Sequence, residues 1–212
     1  MTSYRDLTLQ VSELEPALYL FGGVAEDILL EGSLDRPHGD LDVLVRRREL
    51  PERVQQVQSI GFTSLAVYYE PLPGRPLVLG GTSSGLNLEF GIVDEDASGF
   101  YFVAGATEGG LQRVELTGDL FSSPPVMLDG TAVHIASPLA LYQIRDAFMR
   151  LGTFGVPREK DITIQARLRE HLREHGAPNA MSPSLFPFTD RPRLVAGAPG
   201  SSSEGRPPNN SA

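Results

Sequence analysis

The sequence predicts an α/β protein of the α+β kind: a mixed β-sheet with flanking helices, C-terminal helices that close the body, and a disordered tail. Three observations carry that expectation. Short runs with alternating apolar residues dominate the first two-thirds of the 212-residue chain. Helix start and stop signals are interspersed with them and take over toward the end of the body. From Ala177 onward Pro, Gly, Ser, Asn and Ala prevail, a composition that cannot bury enough apolar surface to offset its ordering entropy. The expected organisation is one domain over 1–176 and a Pro/Gly/Ser-rich tail over 177–212, disordered at least beyond Ala196. The patch Leu185, Phe186 and Phe188 is apolar enough to dock on the body.

The elements follow in order. A first helix is expected over Tyr4 to Leu14. Ala17 to Phe21 is a short apolar run stopped by Gly22–Gly23, the pattern of a buried strand. Val24 to Glu31 reads as a helix ending at Gly32. Leu41, Val43 and Val45 alternate with Asp40, Asp42 and Leu44, a strand pattern. Pro51 suits the first turn of a helix to Ile60, with Gly61 as its stop. Strands are expected near Ser64 to Tyr69, Leu77 to Leu79, Leu86 to Val93 and Tyr101 to Val103. Asp129–Gly130 between two β-rich runs signals a hairpin. Ser137–Pro138 opens a helix as N-cap and first helical residue, and a last helix runs from Arg158 to His175, stopping at Gly176.

Composition excludes some functions. A net charge of −9 argues against a long nucleic-acid track, which needs clustered Lys and Arg. The only basic run, Arg46–Arg47–Arg48, reads as a solvated loop. An acidic surface favours cationic small molecules. The absence of cysteine excludes disulfides and thiolate metal sites. Met1 to Leu20 lacks the basic-then-apolar pattern of a signal peptide, and no window approaches the ~20 apolar residues of a membrane helix. A cytoplasmic location is therefore expected.

Chemistry concentrates between Gly22 and Val45. A strand that enters a Gly-Gly turn and leaves as a helix presents free backbone amides, a natural phosphate cradle; the plain alternative is a tight turn. In Asp40–Leu41–Asp42, residues two apart on a strand face the same way, which sets two carboxylates side by side. A divalent cation relieves their repulsion, and oxygen ligands suit magnesium; the plain alternative is a solvated strand end. In Leu86 to Ile92 the apolar residues alternate so that Glu89 faces away from them, whereas Asp94 and Asp96 follow the alternation and read as turn residues. His134 reads as structural. His171 and His175 lie four apart on a helix, the spacing of a zinc pair, but without an adjacent glutamate or third ligand.

Taken together, Gly22–Gly23–Val24–Ala25–x–Asp27 and Arg36–x–His38–x–Asp40–Leu41–Asp42 resemble the nucleotidyltransferase superfamily with the DNA polymerase β-like fold. They look most like its small-molecule branch, the aminoglycoside and lincosamide nucleotidyltransferases. Ser137–Pro138, Arg145 and Arg158–Glu159–Lys160–Asp161 resemble the family's later pattern, with Arg145 where Lys is expected and Ile164 where a second Asp often follows. The gap between the glycines and the aspartates is a residue or two longer than the family's. The resemblance spans roughly Leu18 to Leu172.

The resemblance implies Asp40, Asp42 and Glu89 as catalytic and metal-binding carboxylates, with Glu89 as ligand or base. It implies Gly22, Gly23, Arg36 and Lys160 as nucleotide-binding residues, and His38 as a residue that orients its loop. The cofactor implied is Mg2+, as two ions, with an NTP substrate, ATP foremost. The implied reaction transfers a nucleoside monophosphate to a hydroxyl of a small acceptor, antibiotics included. No nucleic-acid or membrane partner is expected, and a homodimer is compatible with the pattern. Two alternatives stay open: a protein-directed nucleotidyltransferase of the toxin–antitoxin kind, and a non-catalytic nucleotide-binding relic.

Overall fold

A computed structural model describes residues 3–69, 76–82, 85–105, 110–152, 156–176 and 182–188. The expected disorder beyond Ala196 lies outside them. The chain is mixed α/β, a mixed sheet flanked by helices, as the sequence predicts.

Helix α1 (Tyr4–Ser12) starts where Ser3 accepts a hydrogen bond from the Asp6 amide. Strand β1 (Tyr19–Phe21) runs straight into α2 (Gly22–Glu31), which ends on Gly32 at a φ of 69°. Strand β2 (Leu41–Arg46) leads through a short 3-10 turn into α3 (Leu50–Ser59), with Pro51 in its first turn as expected. Four strands follow: β3 (Phe62–Tyr69), β4 (Pro76–Thr82), β5 (Asn87–Asp96) and β6 (Gly99–Gly105). A seventh, β7 (Leu111–Leu116), was not expected. In the hairpin of β8 (Val126–Leu128) and β9 (Thr131–Val133), Asp129 and Gly130 adopt φ of 52° and 82°, the doubly left-handed turn that Asp-Gly favours. Helix α4 (Pro138–Leu151) is capped by Ser137, and α5 (Glu159–Glu174) by a reciprocal bond between Arg158 and Asp161. Among the described residues, no helix is long and apolar enough to cross a membrane.

The eight-stranded sheet is organised around β5. The first half of β5 lies between β2, parallel to it, and β4, antiparallel to it; its last three residues turn to pair with β6. The sheet then continues through β7 to β10 (Ser184–Phe188). The apolar patch near the C-terminus thus docks as a strand, with Leu185 half-buried against the core and Phe186 47% exposed.

The register of β2 on β5 separates two faces. Leu41, Val43 and Val45 sit opposite Leu88, Phe90 and Ile92, and all six are buried. This is the period-two pattern read from the sequence, and each such side chain contributes about 1.5–3 kcal/mol of burial. The other face pairs Asp42 with Glu89, Leu44 with Gly91 and Arg46 with Val93. The first of these pairs marks the candidate site.

Candidate active site

Asp40, Asp42 and Glu89 come together, the two aspartates as the two-residue period of a strand predicts and Glu89 where the resemblance sets a third carboxylate. Each offers a carboxylate oxygen within 4.8 Å of the others, and each is half-buried. Strand register places Glu89 beside Asp42, and α1 helps to place Asp40. The Tyr4 hydroxyl donates to the Gly39 carbonyl at 2.5 Å and accepts from the Asn87 amide at 3.1 Å, tying the loop before Asp40 to the start of β5. Burial, then the charges of Asp40 and Glu89, push the Asp42 carboxyl well above its ordinary range. Three carboxylate oxygens this close together offer the oxygen ligand set that suits a divalent cation.

The glycine turn is built around the same carboxylate. Gly22 has a φ of 67°, and a Cβ on it would overlap the Asp42 side chain. Only glycine allows both the left-handed torsion and this approach. At Gly23 a Cβ would make ordinary contact with His38 Nδ1 at 3.5 Å and with an Arg36 nitrogen at 3.6 Å. The two glycines therefore differ: Gly22 packs directly against the Asp42 carboxylate, while Gly23 borders the loop that carries Arg36 and His38.

A cleft of about 210 Å³ opens over this face. Its floor includes Gly22, Gly23, Asp42 and Glu89. Phe21 and Gly91 continue the floor on an apolar footing: the Phe21 ring occupies the space a side chain at 91 would need. Leu141, Ile144 and Phe148 of α4 form the apolar wall. Arg145, Arg158 and Asp161 form its charged part.

That charged wall holds a network which the sequence did not reveal. Glu26, 2% exposed, receives two bonds from Arg145: Nε donates to Oε1 at 2.6 Å and Nη2 to Oε2. Arg145 Nη1 donates to Asp161 Oδ1 at 3.0 Å, and Arg158 donates to the same carboxylate from Nε at 2.8 Å. The Arg158 bonds hold the Asp161 carboxyl at about 2. Burial raises the Glu26 carboxyl, and its Arg145 partner opposes that rise. The one sequence signal for Glu26 is a charge inside a helix whose other first-half positions are apolar.

Arg36 and Lys160 come together in a second cavity, between α2, the loop after it and α5. Arg36 Nε donates to Asp27 at 2.5 Å. Lys160 is exposed and has no ion pair among the described residues. His38 Nε2 lies 3.1 Å from Asp27 Oδ2, and burial lowers its pKa while the nearby Asp27 opposes that fall.

Other expectations are corrected. Asp94 and Asp96 belong to β5 rather than to a turn, because the strand runs on to pair with β6. Asp94 receives two bonds from Arg47, at 2.7 and 2.9 Å, and Asp96 receives one from Arg113 at 2.7 Å. The arginine run is not a solvated loop. Arg46 bonds to Glu49 and stacks 4.0 Å above the Phe121 ring centroid, Arg47 holds Asp94, and only Arg48 remains largely exposed. His134 packs edge-on to Tyr19, and the stacked rings of His171 and His175 lie outside the acidic cluster.

No family model matches this chain, and no curated protein matches it in sequence. Solved structures do share its fold. It is similar to the antibiotic-resistance factor ANT(2'')-Ia in solution, with a TM-score of 0.52 and 18% identity over 84% of this chain and 85% of that one. The crystal structure of ANT(2'')-Ia in complex with adenylyl-2''-tobramycin gives 0.51 and 17% over 76% and 82%. At these identities the likeness establishes the nucleotidyltransferase fold and nothing finer.

Proposed function

We propose that this chain is a metal-dependent nucleotidyltransferase that moves a nucleoside monophosphate from an NTP, ATP foremost, to a hydroxyl of a small acceptor. The observation that carries the reading is the convergence of Asp40, Asp42 and Glu89, with Asp42, Glu89 and the Gly22 turn at the floor of one cleft. Asp40, Asp42 and Glu89 would hold magnesium, which when bound supplies positive charge at the reacting phosphate.

The remaining chemistry belongs to the chain. The amides at the start of α2 bind the triphosphate, aided by the positive end of that helix. Arg36 and Lys160 are proposed for its outer oxygens. The acceptor oxygen bonds to the α-phosphorus as the bond from that phosphorus to pyrophosphate breaks. The hydroxyl proton passes to a Glu89 carboxylate oxygen, and pyrophosphate leaves. The apolar floor and wall keep water from competing as acceptor. The acceptor proposed is a hydroxyl-bearing, cationic small molecule of the kind that ANT(2'')-Ia holds as adenylyl-2''-tobramycin. The net charge of −9 supports a cationic acceptor.

The test is a screen of hydroxyl compounds, including aminoglycosides and lincosamides, with labelled NTPs and magnesium, scored for pyrophosphate release. Labelling of a protein or RNA without any small acceptor would overturn the choice of acceptor. No transfer to any acceptor, with no NTP bound, would overturn the activity.

A further inference from the structure

Glu26 has no part in the chemistry above, yet it lines the cleft one turn into α2 and is 2% exposed. A carboxylate is costly to bury unless it is paired and hydrogen-bonded. Arg145 provides that pairing through two nitrogens and gives a third bond to Asp161. A guanidinium has five N–H donors, so two remain, one on each terminal nitrogen, in a residue that lines the cleft. A phosphate entering the cleft must therefore compete with two carboxylates for one cation.

We infer that Glu26 is a positioning residue that sets the cleft's affinity for phosphate through Arg145. It holds the guanidinium fork in one orientation against the cleft. It also offsets that charge, so pyrophosphate is held loosely enough to leave. The inference rests on the nucleotidyl-transfer reading. Its sign separates it from a purely structural pair. Cement between α2 and α4 would loosen the cleft when lost and weaken every ligand. An offsetting carboxylate, once neutralised without change of shape, leaves Arg145 facing one carboxylate instead of two and strengthens its hold on an anion.

The experiment is calorimetric titration of inorganic pyrophosphate, at fixed magnesium, into wild type, Glu26→Gln, Asp161→Asn and the double variant Glu26→Gln/Arg145→Met. Thermal melting is recorded alongside. Glu26→Gln should bind pyrophosphate about tenfold more tightly, the order of one charge-assisted hydrogen bond. Asp161→Asn, which still accepts the Arg158 amide, should tighten binding in the same direction by less. The gain should vanish in the double variant. Unchanged or weaker binding by folded Glu26→Gln overturns the inference, and so does a gain that survives loss of Arg145. Should Glu26→Gln not fold, Asp161→Asn decides, and no tightening there overturns the inference. If wild type binds neither pyrophosphate nor ATP with magnesium, the nucleotidyl-transfer reading fails and this inference with it. Wild-type binding without an effect of the variants leaves that reading standing and removes only the role of Glu26.

Discussion

The two ends of β5 carry the same kinds of residue and treat them oppositely. Near its start, Glu89 meets Asp42 and Asp40, and the carboxylates gather against one another. Near its end, Asp94, Glu95 and Asp96 each face an arginine: Arg47, Arg48 and Arg113. The consequences for charge are opposite too. Burial and neighbouring acids raise the Asp42 carboxyl, while bonds from Ser98 and Arg113 hold Asp96 at about 2. Matched carboxylates help to hold a fold together. Carboxylates gathered against one another are costly to hold ionised together, and such a cluster is a candidate site rather than a support for the fold.

Asp42→Asn tests that contrast most severely. Turnover should fall by more than about 100-fold, since a ligand and a charge are lost together. Stability should not fall. A carboxyl whose folded pKa is raised contributes stability below its ordinary pKa of 3.8 and loses it as pH rises toward the folded value. The metal-free variant should therefore melt at or above the wild-type temperature at pH 7, with the advantage fading in acid. Melting curves at both pH values, paired with a pyrophosphate-release assay, decide. Full activity would end the metal-site reading, and an unfolded variant would make the acids structural.

The glycines sharpen the comparison from the helix side. Gly22→Ala meets both a left-handed torsion and the Asp42 carboxylate, so it should cost about 1–3 kcal/mol and remove nucleotide binding. Gly23→Ala has room and should keep the fold; Gly23→Val should weaken triphosphate binding while the fold persists. Denaturant melts and titration with a non-hydrolysable NTP measure both quantities. Equal effects at the two positions would remove the distinction drawn between them.

Truncation compares strand with tail. Ending the chain after Ala196 should leave melting and nucleotide binding unchanged. Ending it after Gly176 deletes β10, with its ladder to β7 and the bond from Arg150 of α4 to the Pro183 carbonyl at 2.9 Å. That should lower the melting temperature by several degrees, on the order of 1–2 kcal/mol for a chain of this size. The smallest effect belongs to the matched end of β5. Asp96→Asn should leave turnover intact and slightly lower stability above pH 3.8, the loss disappearing as pH falls toward 2. A large loss of turnover there would erase the contrast between the two ends.

What the sequence made legible follows local rules. Asp129–Gly130 and Ser137–Pro138 specify their turn and cap almost without context, and Asp40–Leu41–Asp42 needs only the two-residue period of a strand. Strand β7 escaped because Gln112, Arg113 and Glu115 dilute its alternation, leaving only Val114 and Leu116 buried in the strand. Asp94 and Asp96 read as a turn because the apolar alternation ends before them, and the arginines that hold them lie 47 and 17 residues away. Glu26 was illegible for the same reason, its partner Arg145 being 119 residues distant. Long-range pairing of charges decides which acids are structural, and no window of sequence contains it.

The last strand has a consequence for how the molecule behaves in company. Among the described residues, ladder order leaves β10 at the margin of the sheet, and Pro187 sits within it, opposite Gln112. Proline is tolerated at such a margin because its nitrogen, which has no hydrogen to donate, faces away from the ladder. An incoming strand from a second molecule would find one donor missing at the fourth residue of a five-residue edge. Concentrated solutions should therefore resist edge-to-edge aggregation along β10, and Pro187→Thr, which restores the donor, is the substitution most apt to seed it.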